Sequence, residues 1–581
     1  MLKILTTMGI KHFFMWFKNH FSEYMRPMRS GDTLATVGVG IDNLMIDMNG
    51  VFHNSTQKIY QYGNFKPPPR LLGKNRKRRL RGLKAQIAVF EDVCKTVELL
   101  FSISKPRKRL ILCVDGPAPI SKQNQQRQRR FRSAMEASDD SPFDSNSITP
   151  GTKFMDYLSK YIDWYIRKRM SESQSWRKVQ VLFSNEKAPG EGEHKIVNYI
   201  RYYGKHDETY CINGLDADLI MLALGTHMPN FYILREDLYD RSNEYFCIDI
   251  GGARGALVEM LEWKSSKHLY IPRSAVNDFI FLCFMVGNDF LPHIPSLEII
   301  QNGIELIVEV YKDVCSAHGH ITTVIEGGRV QFVHIPLASF LGTIGHHEKE
   351  NLQHKLRSRR SYFEDKLLDS CATQQERKWI VDIDKYKKDY WTKHFGKDDL
   401  VKEVCHKYLE GMQWVLSYYT RGVPNWKWHF AYHYAPPASV LAKHVPTFKF
   451  PRYSRTIPST PFQQLLSVLP PQSANLIPPP LCNYLTDDDS PLKDHCPTEL
   501  EIDLSGKRRE WEGIVILPMV EFDVVRECYF KSLNEVDPRE SRRNVRGRSF
   551  LYEYDESVSR TFKSFYGDIN ECRVKTVQID L

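Results

Sequence analysis

The sequence predicts an α/β protein built on a central, largely parallel sheet flanked by helices. Three observations carry this. Short apolar runs of strand length recur at 44–46 (LMI), 110–114 (LILCV), 179–183 (VQVLF) and 210–213 (YCIN), and a continuous apolar run is the pattern of a strand buried on both faces. Segments with helical apolar spacing, 83–102, 153–169 and 193–203, alternate with those runs. Each run also leads into carboxylates, as expected where strands deliver functional groups at the carboxyl edge of an open α/β sheet.

The stretch 110–134, LILCVDGPAPISKQNQQRQRRFRSA, shows the logic most fully. The apolar strand ends in Asp115-Gly116, and Pro117 and Pro119 force an open turn. A polar helix is predicted next. Lys122, Gln126, Arg129 and Arg130 fall at i, i+4, i+7 and i+8, so they share one helical face. Read alone, this stretch is equally well a solvated basic helix beside a structural aspartate.

The other runs shift the balance. Asp47 follows 44–46, Glu191 and Glu193 follow 179–183, and Asp216 and Asp218 follow 210–213. A helical apolar run at 279–286 ends at Asp289. With Asp115 these make seven acids predicted to converge at one pole. The Glu191/Glu193 and Asp216/Asp218 pairs are spaced by two, which in extended backbone puts both carboxylates on one face. Crowded carboxylates repel and call for cations. An oxygen-only donor set suits Mg²⁺, or Mn²⁺, better than zinc. Two such ions would serve in-line phosphodiester displacement.

The 581 residues allow more than one folding unit. The net charge of +10 persists although seven acids are assigned to one site, so the remaining surface favours a polyanion. The twelve cysteines are scattered with no Cys-x-x-Cys, which argues against a zinc ribbon and for a reduced, intracellular setting; the protein is expected to be soluble, and cytoplasmic in preference to nuclear. No stretch has the length and purity of a membrane span.

Residues 1–7 read as an N-terminal extension and 8–321 as the acidic core. Residues 74–84 form a run of seven positive residues without an acid, read as a solvated loop. Residues 322–400 read as charged helices or linker, with 346–360 and 374–390 as surface segments. A second block spans 401–560, with a helix at 404–419 and a proline-punctuated path over the surface at 445–480. Strand and helix are predicted within 499–520, and 561–581 is read as a tail.

The segments IDMNGVFHN, VDGPAPISKQNQQRQRRFRSA, PGEGEHKI, GLDADLIML and VGNDFLPH resemble, in order, the motifs of the Xrn 5′→3′ exoribonucleases. MGIKHFF is similar to that family's N-terminus. YYTRGVPNWKWHFAYHYAP, PFQQLLSVLPP and EIDLSGKRREWEGIVILP are similar to its second conserved region. The resemblance implies a core like that of PIN and flap nucleases with a mainly helical second region packed against it. It implies that the seven acids bind Mg²⁺ and that Lys122, Gln126, Arg129 and Arg130 hold a 5′ monophosphate. It also implies that His53 and Trp428, with Trp426 as the rival two positions away, stack on the first base. The implied activity is processive hydrolysis of 5′-monophosphorylated single-stranded RNA to mononucleotides. The alternatives are a structure-specific 5′ nuclease on DNA flaps and a catalytically inactive RNA-binding scaffold. No protein partner is implied. The zinc knuckle of the nuclear branch has no cysteine counterpart here, and the sequence reads as a near-minimal nuclease core.

Overall fold

In the computed structural model, residues 10, 12–63, 65, 81–136, 141–237, 243–358, 363–376, 378–396 and 398–581 are described. The predicted extension 1–7 and most of the basic run 74–84 lie outside these residues.

The described residues form one nine-stranded sheet: β1 Met25–Met28, β2 Asn43–Asp47, β3 Arg109–Cys113, β4 Gln180–Ser184, β5 Tyr210–Asn213, β6 Phe231–Glu236, β7 Tyr245–Asp249, β8 Ser549–Tyr554 and β9 Val574–Ile579. The spatial order is β1-β7-β6-β5-β2-β3-β4-β8-β9. The five middle strands, β6 to β4, are mutually parallel, and the flanking pairs are antiparallel.

The unbroken apolar runs have a simple cause. Successive side chains alternate between two faces, and both faces are covered. Met45, Ile111, Leu182 and Ile212 join a core that includes helices Gly192–Tyr203 and Asp218–Thr226. Leu44, Ile46, Leu110, Leu112, Val181 and Phe183 join the opposite core under helices Gly82–Ser104 and Lys153–Glu172. The chain lays down β2, β3 and β4 in one direction, then returns past β2 to add β5 and β6. That reversal opens a crevice at the carboxyl ends of the parallel strands, where open α/β sheets bind ligands.

Several sequence expectations are revised by the structure. The tail is not loose chain: β8 pairs with β4 (Leu551 opposite Leu182), and β9 pairs along all of β8. β9 is the edge strand, and Glu553 of β8 sits opposite Lys575 of β9, a charged pair of the kind that blunts a sheet edge. Of the two readings of 322–400, charged helices or linker, the structure shows helices. Helix His334–Arg357 buries Leu337, Phe340, Leu341, Ile344, Leu352 and Leu356, a helical stripe masked by the charged residues between. Residues 374–390 split into part of a hairpin, Ala372–Gln375 with Lys378–Val381, and helix Ile383–Phe395.

Within 445–480 the path does not stay on the surface. Helix Pro461–Val468 is buried along its whole length. Thr460 and Gln463 form its capping box and Pro461 occupies its first turn. In T-P-F-Q the proline therefore starts a helix instead of breaking one. In 499–520 two short strands, Glu501–Asp503 and Ile514–Ile516, form a hairpin, and the α-helix comes later at Phe522–Ser532.

The second region shares a core with the first. Helix Val401–Thr420 buries Tyr408, Leu409, Trp414 and Val415 in the same cluster as Ile212 and Leu219. Among the described residues no helix is long and apolar enough to cross a membrane.

Candidate active site at the carboxyl edge of the sheet

Strand register brings the first acids together. Asp47, the last residue of β2, lies beside Cys113, two residues before Asp115. Ile46 lies beside Asn213, three residues before Asp216. Cys113 lies beside Ser184, from which the chain runs to Glu191.

The close pairs are not presented by extended backbone, as their spacing suggests. Glu191 is the N-cap of helix Gly192–Tyr203, with Glu193 in its first turn, and Asp218 opens helix Asp218–Thr226. Helix N-termini favour carboxylates because their free N–H groups and the helix dipole point at them.

Each acid is held. Asn49 Nδ2 donates to Asp115 Oδ2 at 2.8 Å while the Asp115 N–H donates to Asn49 Oδ1 at 3.0 Å. The Gly192 N–H donates to Asp115 Oδ1 at 2.7 Å. Only glycine permits that approach, because a Cβ at 192 would lie 2.6 Å from Asp47 Oδ1. The Ile10 N–H donates to Asp218 Oδ1 at 2.9 Å. Tyr418, from the second region, donates to Glu191 Oε1 at 2.8 Å, and His194 stacks on its ring at 3.6 Å. The sequence reading named neither Asn49 nor Tyr418. Asn49 sits in the IDMNG motif, where it was visible; Tyr418 reaches the site only through tertiary packing.

The electrostatics are those of crowded, buried anions. Burial raises Asp47, and Asp115 and Asp216 add to the rise. Burial raises Glu193 well above the usual range, against the pull of Lys122, with Asp216, Glu191 and Asp218 adding to it. Asp218 is pushed up to about 7 by burial and by Asp289. Burial likewise raises Glu191 and Asp216, with Lys122 opposing.

Lys122 is the cation among them. It pairs with Glu191 and, at 2.6 Å, with Asp289. Burial alone would lower its pKa, but Asp289, Glu191 and Glu193 hold it well above its usual value. The structure thus pairs Lys122 with two of the acids, while it shares a helical face with the arginines.

Among the described residues no three His, Cys, Asp or Glu side chains are drawn close enough to make a metal cage as they stand. The donor set nevertheless fits a hard cation. All seven candidates are oxygen donors, five of them carry raised pKa values, and Glu193 Oε2 is buried without a partner. A buried carboxylate oxygen left unpaired is costly unless a cation completes it.

The second cluster lies on helix Ile120–Glu136. Gln126 and Arg130 are buried and Arg129 is half-buried. Arg130 Nη1 donates to Asn146 Oδ1 at 3.3 Å, and its Nε is buried without a partner. Burial and the neighbouring Arg129 push Arg130 down to about 9, so it stays charged at neutral pH. Two crowded guanidinium groups with an unmet buried N–H suit an oxyanion.

His53, on helix Met48–Tyr60, is pushed down to about 3 by burial, Arg129 and Arg130. It is therefore a neutral ring beside the arginines. Trp428 is placed otherwise. It is buried, it stacks on Trp414 at 5.1 Å, and a Cβ on Gly411 would lie 2.8 Å from its ring. It belongs to the core. Trp426 is half-buried, and its carbonyl accepts from the Ile120 N–H at 2.9 Å, at the start of the basic helix.

The chain is similar to known families and proteins. Residues 8–237 match the family described as XRN 5′-3′ exonuclease N-terminus, and residues 272–382 and 383–581 match the Xrn1 helical domain. The chain is 30% identical to the protein named 5′-3′ exoribonuclease 1 of Saccharomyces cerevisiae, over 91% of this chain and 44% of that protein. It is 30% identical to the 5′-3′ exoribonuclease 2 homolog of Drosophila melanogaster, over 90% of this chain and 69% of that protein. The chain thus spans less than half of the yeast relative and about two thirds of the fly one. Among solved structures, the catalytic core of Rad2 in complex with DNA substrate aligns with a TM-score of 0.32 at 14% identity, covering 70% of this chain and 86% of that one.

Proposed function

Because this chain belongs to the XRN 5′–3′ exonuclease family, we propose that it is a processive 5′→3′ exoribonuclease that removes mononucleotides from single-stranded RNA bearing a 5′ monophosphate. The observation that carries this reading is the joining of two opposite charge clusters by one helix. Lys122 engages Glu191 and Asp289, and the arginines lie two turns further along.

Asp47, Asp115, Glu191, Glu193, Asp216, Asp218 and Asp289 would hold Mg²⁺ or Mn²⁺, two ions by the number of acids. Such ions, when bound, activate water and stabilise the charge that develops on the phosphodiester. The chain's own residues do the positioning. Arg129, Arg130 and the Gln126 amide hold the terminal phosphate, which carries more charge than an internal diester. The neutral His53 ring offers a stacking face that any base can use, with Trp426 taking the role the motif gave to Trp428. Asn49, Gly192 and Tyr418 hold Asp115 and Glu191 in place. Each cut leaves a new 5′ monophosphate, so the product end is the next substrate. The twelve unpaired cysteines fit a reducing interior of the cell.

The test is degradation of otherwise identical RNAs with 5′-hydroxyl, monophosphate, triphosphate and capped ends, in Mg²⁺, in Mn²⁺ and in chelator. A 5′-phosphorylated DNA flap serves as the competing substrate. The reading expects cation-dependent release of mononucleotides from monophosphorylated RNA first. Equal rates on all four ends, or preference for the flap, would overturn it.

A further inference from the structure

We infer that Gln464 is a positioning residue for end recognition: it turns the Gln126 amide so that the NH₂ group, and not the carbonyl, is presented to the terminal phosphate. The inference rests on the phosphate-pocket reading above.

The argument begins with a backbone N–H, which can only donate. The Ala118 N–H makes a 2.7 Å hydrogen bond to the Gln464 side chain, so the atom it meets must be Oε1. That assigns the Gln464 amide, which is fully buried. Its Nε2 then lies on the opposite side and meets the Gln126 side chain at 3.3 Å. An NH₂ group there requires an acceptor, so the Gln126 atom facing it is Oε1. Gln126 Nε2 is thereby released, and it donates to no group among the described residues. Gln126 precedes Arg129 and Arg130 by three and four positions on one helix, hence on one face. A phosphate only accepts hydrogen bonds. The reverse amide orientation would turn a carbonyl oxygen toward it.

The lock is rigid because its frame is buried. Gln464 lies on helix Pro461–Val468, all of it buried, with a closed capping box at its start. Gln123 Nε2 bonds both the Ala118 carbonyl at 2.7 Å and Ser459 Oγ at 3.1 Å, tying the same turn to the residues that lead into that helix. As a proline-punctuated surface path, 445–480 carries no sequence signal that connects Gln464 with the basic helix.

The experiment is a double-mutant cycle on the full chain with Gln464→Met and Gln126→Met. It reads kcat/KM on monophosphorylated and 5′-hydroxyl RNAs of one sequence. If Gln464 acts through Gln126, each single variant lowers the monophosphate preference by roughly tenfold, the scale of one charge-assisted hydrogen bond. The loss should sit in KM for the monophosphorylated RNA and exceed any loss on 5′-hydroxyl RNA, and the double variant should match the singles. Losses that multiply, or that fall equally on both RNAs, make Gln464 a packing residue and overturn the inference. Should Gln464→Met fail to fold for want of an acceptor for Ala118, Gln464→Glu keeps the acceptor, lacks the donor, and must give the same loss. A wild type without monophosphate preference would sink the pocket reading and this inference together. A wild-type preference that both Gln464 variants keep would sink this inference alone.

Discussion

The acid cluster and the basic helix face the same difficulty with opposite signs, and they solve it differently. Both bury like charges that raise each other's energy. The acids have two ways out: burial and mutual repulsion raise Asp47, Glu193 and Asp218, so that these hold protons more readily, and Glu191 and Asp289 borrow the ammonium of Lys122. The arginines have neither. Arg130 is pushed down only to about 9, no carboxylate pairs with Arg129 or Arg130 among the described residues, and a guanidinium does not give up its proton at neutral pH. Arg130 is held by Asn146. The acid end thus has internal means of relief, whereas the charge of the basic end is left to be met from outside.

The largest effect that would break this contrast is at the acids. Asp218→Asn or Asp216→Ala should cut hydrolysis by at least ~10³-fold, while circular dichroism shows the fold intact. Near-normal Mg²⁺-supported turnover in both variants would remove the acids from the reaction. At the basic end the cost is smaller and selective. Arg130→Ala should reduce the preference for monophosphate over hydroxyl ends by about 10–100-fold, the worth of a hydrogen bond to a charged group. A variant that slows both RNAs alike would show the helix to be a general basic surface.

The aromatic residues sharpen the contrast further. His53→Ala should weaken retention of every RNA sequence similarly, by roughly 1–3 kcal/mol, because stacking does not read base identity. Trp426→Ala should behave in the same way. Trp428→Ala should instead lower stability by about 3–5 kcal/mol, as removal of a buried ring does. A Trp428 variant with normal melting and impaired processivity would reverse that assignment.

The smallest effect is thermal. Acids whose folded pKa is raised bind more protons in the native state than in the unfolded one. Stability in chelator must then fall as pH rises from the ordinary carboxylate range through about 7. The melting temperature in chelator should drop by a few degrees, about 2–4 °C, between pH 6 and pH 8, and Mg²⁺ should restore it at pH 8. Asp218→Asn should flatten that pH dependence. A melting curve that rises across this range would show that the acids do not repel one another in the native state.

What the sequence determined by itself was local. The runs 110–114 and 210–213 are strands buried on both faces, and each carries its acid a few residues on. A strand and the turn that follows it are encoded together, so Asp47, Asp115 and Asp216 were legible without knowing which strand lies beside which. The basic face of helix Ile120–Glu136 was legible for the same reason, since one helical period decides it. Tertiary structure decided the rest. It paired Lys122 of that face with Glu191 and Asp289, buried Trp428 against Trp414, and turned a presumed tail into β9 by offering β8 an edge on β4. It also oriented the Gln126 amide through Gln464, 338 positions away in sequence. A hydrogen bond between residues so far apart leaves no periodic mark in either segment. Only the packed core that brings helix Pro461–Val468 against helix Ile120–Glu136 can create it.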